Sequence, residues 1–121
     1  MRPSPLLAVL LLMAAVALLA PGPLRAEMRL LMFEQPGCSW CRAWNEEVGD
    51  AYAKTEEGRR APLERVLISE GVPEGMELES RPRFTPTFVL VEDGREIGRI
   101  EGYPGEEFFW SLLGMLLERA P

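Results

Sequence analysis

The chain has 121 residues, 26% of them charged, with 13 bases against 19 acids and a net charge of −6. That surplus of negative charge argues against nucleic acid and anionic lipid as partners. The chain has no histidine and only two cysteines. A zinc site needs about four ligands, so it would require a second chain contributing its own pair.

The first 26 residues read as an export signal. Arg2 gives a weak positive start, residues 6–20 are fifteen consecutive apolar residues, and Pro21-Gly22-Pro23 breaks the run. Leu24-Arg25-Ala26 precedes the expected cleavage point. The run is short for a spanning helix, which takes about 20 residues. An uncleaved anchor is the rival reading. Cleavage after Ala26 leaves residues 27–121 as one small domain with a single core. All 19 acids but only 11 of the 13 bases lie in that part, so its net charge is −8.

Residues 28–33, Met-Arg-Leu-Leu-Met-Phe, form an almost wholly apolar run, as a strand covered on both faces does. Glu34-Gln35-Pro36-Gly37 is a turn signal. A helix is expected from about Ser39 to Lys54, with Ala43, Trp44, Val48, Ala51 and Tyr52 facing the core. Residues 55–62 read as a charged loop, and residues 64–69 as a second strand. Residues 71–82 contain Gly71, Pro73, Gly75 and Pro82, so at most one or two helical turns fit, around residues 74–79.

Residues 85–91 read as a third strand led in by Pro86. Glu92-Asp93-Gly94-Arg95 is a tight turn, and residues 96–101 alternate as a half-buried strand does. Gly102-Tyr103-Pro104-Gly105 is a loop. Residues 106–119 are a closing helix with acids at its start and Arg119 at its end, which suits the helix dipole. Phe109, Leu112, Leu113, Leu116 and Leu117 make its apolar face. The expected fold is α/β. A parallel strand–helix–strand unit and an antiparallel hairpin share one four-stranded mixed sheet, with helices packed on it.

Cys38-Ser39-Trp40-Cys41 falls between the first strand and the first helix. Positions three apart share a helix face, so the two sulfurs can meet. A helix N-terminus favours a thiolate there. A structural disulfide is the bland alternative, but so short a loop constrains the unfolded chain little. The pattern points to thiol–disulfide exchange, with Cys38 attacking and Cys41 resolving. Trp40 is either an apolar shoulder of the site or simple surface packing. Tyr103 and Pro104 either line the site or only shape their loop. Trp44, Phe108 and Trp110 read as core or partly buried helix residues.

From Met28 to about Glu118 the chain resembles thioredoxin-fold proteins. The resemblance rests on the Cys-x-x-Cys after the first strand, on Phe84-Thr85-Pro86-Thr87 leading the hairpin, and on Gly102 after the last strand. Three further stretches are similar to the small exported thioredoxin-like proteins of bacterial sulfur-oxidation (Sox) operons. These are residues 31–38 (Leu-Met-Phe-Glu-Gln-Pro-Gly-Cys), 84–90 and 98–105. The resemblance implies a redox-active Cys38–Cys41 disulfide, a cis Pro86, and a substrate groove at Trp40, Thr85, Pro86 and Gly102. It implies no metal and no cofactor beyond the disulfide.

It also implies a periplasmic setting and an upstream membrane thiol reductase. The implied client is a cysteine-bearing protein such as the sulfur carrier of thiosulfate oxidation. A disulfide donor or isomerase, or a non-enzymatic binding module, are the alternatives. Thioredoxins bury an acid six residues before the first cysteine, and here that residue is Met32. Glu34 is then the candidate proton acceptor.

Overall fold

A computed structural model describes residues 1–19, 21, 22 and 26–121. Helix α1 (Pro5–Leu18) carries the apolar leader, and its large apolar side chains from Leu6 to Val16 are exposed. Among the described residues no helix is long and apolar enough to cross a membrane. Leu24 and Arg25, at the expected cleavage point, lie outside the described residues.

Strand β1 (Met28–Glu34) pairs parallel with β2 (Leu63–Leu67) and antiparallel with β3 (Thr87–Glu92). Strand β4 (Arg95–Glu101) closes the sheet, in the order β2-β1-β3-β4. The β3–β4 turn carries Asp93 and Gly94 with φ of 49° and 80°. A two-residue hairpin turn with both residues left-handed matches the twist of its strands. A bulge opposite Leu90 and Val91 sets Ile97 out of register.

One face of the sheet supports the main core. Leu30, Met32, Phe88, Leu90 and Ile100 meet Trp44, Val48 and Tyr52 from the cysteine helix. Helix α5 (Glu106–Arg119) adds Phe109, Leu113, Leu116 and Leu117. Trp44, Phe88 and Phe109 pack at 4.9–5.7 Å between ring centroids, in the tilted and edge-on arrangements aromatic rings prefer. Gly98 lets α5 approach, because a Cβ there would lie 2.5 Å from Leu116 Cδ2. Leu112, expected in the core, is 37% exposed on the outer side of α5. Phe108 is also exposed.

The cysteine helix is not one regular run to Lys54. Segment α2 (Ser39–Trp44) passes into a π-helical turn (Asn45–Gly49) and ends as α3 (Asp50–Tyr52). A π turn fits an extra residue into the helix and so rotates the residues beyond it about the axis. Ala51 consequently faces solvent while Tyr52 is buried.

Residues 55–62 are not an open loop. Thr55 caps a short α4 (Glu56–Arg60) by accepting a hydrogen bond from the Gly58 N–H at 3.0 Å. Gly58 is buried against the carbonyl of Tyr52, where a Cβ would clash at 1.8 Å.

The other sheet face holds a smaller cluster of Leu31, Phe33, Val66, Val89 and Val91. After β2 comes a 3-10 turn (Ile68–Glu70) in place of the strand's expected end. Residues 71–82 contain no helical turn. They run through a turn at Glu74 and Gly75, place Met76 and Leu78 over this cluster, and bridge Glu77 to Arg95 at the sheet edge. Glu96 and Arg99, with side chains 1% and 14% exposed, hold the segment in place. Arg99 donates to Glu96 and to the Ser80 carbonyl at 2.7 Å, and Glu96 accepts from the Glu79 N–H.

Candidate active site

Cys38 and Cys41 are joined as a disulfide, with Cα atoms 5.2 Å apart. Cys38 is the N-cap of α2, its backbone extended (φ −77°, ψ 104°), and its Sγ accepts the Cys41 N–H at 3.1 Å. A sulfur in this position faces the unpaired N–H groups that open a helix. The two sulfurs differ in access. Cys38 is half-buried, whereas Cys41 is 5% exposed and belongs to the main core. Glu34, Gln35, Gly37, Cys38, Cys41, Arg42 and Asn45 line a cleft of about 210 Å³ beside the pair.

The Thr85–Pro86 peptide is cis. Thr85 lies outside the β1–β3 ladder, which begins at the Phe33–Thr87 pair. The loop is tied to its surroundings by side chains and main chain. Gln35 Nε2 donates to Thr85 Oγ1 at 2.8 Å, and Thr87 Oγ1 donates to the Phe84 carbonyl at 2.7 Å. The Gly102 N–H donates to the Pro86 carbonyl at 2.7 Å. Thr85, Pro86, Gly102 and the turn before Cys38 are thus linked directly. Trp40 and Phe84 are each 62% exposed.

Tyr103 does not line a groove. It is buried, with its ring 6.3 Å from Phe109, and its hydroxyl donates to the Glu47 carboxylate. Burial first, and then that hydrogen bond, push its acidity constant above the ordinary tyrosine range. Pro104 remains exposed.

Met32 is fully buried in the same core as Cys41, so no carboxylate occupies that position. Arg65, its partner in the β1–β2 register, reaches over it instead. Arg65 donates to Glu34 at 2.6 Å and to Asn45 Oδ1 at 2.8 Å. Its guanidinium carbon lies 5.9 Å from the Trp44 ring centroid. Glu34 is therefore held at the cleft wall by an arginine that sequence reasoning missed. The only sequence signal is a base at a strand position between two apolar residues, Leu63 and Val66. Asn45, Gln35 and Glu47 carry no local signal.

A family model of the thioredoxin-like domain matches residues 24–116. The chain belongs to the thioredoxin-like family, and its fold and cysteine pair define a thioredoxin-like thiol–disulfide oxidoreductase. Among solved structures, the reduced form of the periplasmic thioredoxin SoxS from Paracoccus pantotrophus is 50% identical with a TM-score of 0.77. The match covers 78% of this chain and all of that one. The thioredoxin of Malassezia sympodialis shares the fold at 18% identity and a TM-score of 0.55, over 74% of this chain and 76% of its own. No curated protein matches the chain significantly.

Proposed function

We propose that this protein is a periplasmic reductant that keeps a cysteine-bearing protein in its thiol state. The observation that carries the reading is the asymmetry of the pair, with an accessible Cys38 at the helix start and a buried Cys41 behind it. In the reduced protein the Cys38 thiolate attacks one sulfur of a client disulfide. The Cys38–client bond forms, the client S–S bond breaks, and the first client sulfur leaves as a thiolate that takes a proton. Cys41 then loses its proton and attacks Cys38 Sγ. The Cys38–Cys41 bond forms, and the second client sulfur leaves. Two electrons pass to the client, and an upstream membrane thiol reductase returns them to the pair.

Glu34, on the wall of the cleft that Cys41 also lines, is the candidate acceptor of the Cys41 proton. Thr85, Pro86, Gly102 and Trp40 form the groove. The Thr85 main chain, outside the ladder, pairs with an extended client segment by strand addition. Likeness to a periplasmic thioredoxin named SoxS supports residues 1–26 as a cleaved signal, a periplasmic location, and the sulfur carrier of thiosulfate oxidation as client.

The test is trapping in periplasmic extract or with purified carrier. Cys41→Ser is expected to accumulate a mixed disulfide through Cys38, and Cys38→Ser to lose all exchange. Retained turnover in Cys38→Ser would sink the assignment. The direction of electron flow is read from the pair's potential. A value near about −270 mV supports a reductant, and one near about −120 mV marks a disulfide donor.

A further inference from the structure

Three hydrogen bonds, from residues far apart in the chain, close a ring around the disulfide. Gln35, three residues before Cys38, is bonded to Thr85. Pro86, next to Thr85, accepts from Gly102. Tyr103, next to Gly102, donates to Glu47, which lies nine residues after Cys38 in the π-helical turn. The turn before the cysteines, the Thr85–Pro86 loop, the Gly102 loop and the cysteine helix are therefore fixed relative to one another. Tyr103 sits at the buried corner of this ring, 8% exposed. Its raised acidity constant keeps the hydroxyl a donor throughout the neutral range.

We propose that Gln35, Glu47 and Tyr103 are positioning residues that hold the groove open in its client-binding shape, for a cysteine carried on an extended polypeptide rather than for a small disulfide. This inference rests on the proposed client groove. A site already in its bound shape binds more tightly because ordering is not charged against binding. A segment lying along Thr85, Pro86 and Gly102 touches two of the loops that the ring fixes, and its cysteine meets Cys38 at the start of the cysteine helix. A small disulfide needs only the Cys38 sulfur. Trp40 and Phe84, both largely exposed, offer apolar contact to the side chains of such a segment.

The experiment is single-turnover oxidation of the pre-reduced protein by two probes. One is a synthetic peptide with a single cysteine, dimerised through its disulfide, and the other is hydroxyethyl disulfide. For each probe the half-saturating concentration and the limiting rate are measured, together with the potential of the pair. Tyr103→Phe and Glu47→Ala are expected to raise the peptide's half-saturating concentration about five- to tenfold, the effect of losing one hydrogen bond. The limiting rate and the potential are expected to stay within about twofold and about 10 mV of the parent.

Glu47→Gln keeps an acceptor oxygen and is expected to restore most of the affinity. Gln35→Ala tests the same ring at an exposed bond whose loss does not threaten folding. An unchanged half-saturating concentration in Tyr103→Phe and Gln35→Ala overturns the proposal. So does a limiting rate or potential that moves along with it, because the residues then act on the chemistry. If the parent protein itself treats peptide and hydroxyethyl disulfide alike, the groove reading fails, and the inference fails with it.

Discussion

The two faces of the sheet are built by different means. On one, two helices lay the rings of Trp44 and Phe109 against Phe88 of the sheet, over strand residues that are buried. On the other, five aliphatic and aromatic side chains are covered by a stretch with no helix, held by Glu96 and Arg99. The first face depends on packing, which is non-directional and cumulative. The second depends on a few polar bonds, each of which has to be present. The cysteines belong to the first face. Cys41 is part of its core, so the redox pair sits on the helix-packed side of the sheet.

The largest expected loss comes from the helical face. Trp44 is fully buried, and three aromatic rings lie within 6.0 Å of its own. Trp44→Ala is expected to cost about 3–5 kcal/mol, the usual range for emptying a large aromatic site. Urea denaturation followed by far-ultraviolet dichroism checks it. Among the described residues its Nε1 has no hydrogen-bond partner, so the loss is chiefly one of packing. A cost under about 1 kcal/mol would mean that the core collapses to fill the site, and that packing is not what holds this face.

On the other face the expected loss has a different form. Arg99→Met leaves the buried Glu96 carboxylate without its partner. Breaking one side of a buried pair costs about 3 kcal/mol, whereas replacing both by apolar residues is often near neutral. Arg99→Met is therefore expected to be strongly destabilising, and Glu96→Leu with Arg99→Met to recover most of the loss. A double variant as unstable as the single would show that Ser80 and Glu79 need these side chains as bonding partners. The same urea midpoints decide the matter.

These faces also differ in how much of them could be read in the sequence. The strands under the helices and helix α5 show their period, because an amphipathic helix or buried strand repeats its apolar residues at a fixed interval. The hairpin was legible from Asp93-Gly94, which supply the left-handed turn residues. Residues 71–82 have no such period, and their cover of the second face rests on Met76 and Leu78 alone. The charged run at residues 55–62 hid α4, whose stability comes from the Thr55 cap and from contact with the Tyr52 carbonyl. At the site, the cysteine pair and the Thr85-Pro86 loop were visible as motifs. Arg65 was not, because its place over Met32 comes from strand register, which no local pattern encodes. Glu47 and Tyr103 are 56 residues apart, and a π turn sets where Glu47 leaves its helix.

The smallest expected effect is also the one that separates packing from bonding within the helical face. Tyr52 stacks on Trp110 at 5.9 Å, and its hydroxyl donates to the Ala61 carbonyl at 2.6 Å. Tyr52→Phe keeps the ring and loses the bond, so it is expected to cost about 1 kcal/mol at neutral pH. Burial first, and the nearby Glu57 second, raise the acidity constant of Tyr52 above the ordinary value of 10.0. The folded state then holds this proton more tightly than the unfolded chain does. The associated stability is complete below the unfolded value and is lost as pH rises from about 10 towards the folded value. The parent should weaken with pH above about 10 more steeply than Tyr52→Phe, which has no proton to lose there. Stability curves measured at pH 8 and above check this. A gap that is absent at neutral pH and stays absent as pH rises would mean that Tyr52 contributes to this face only through its ring.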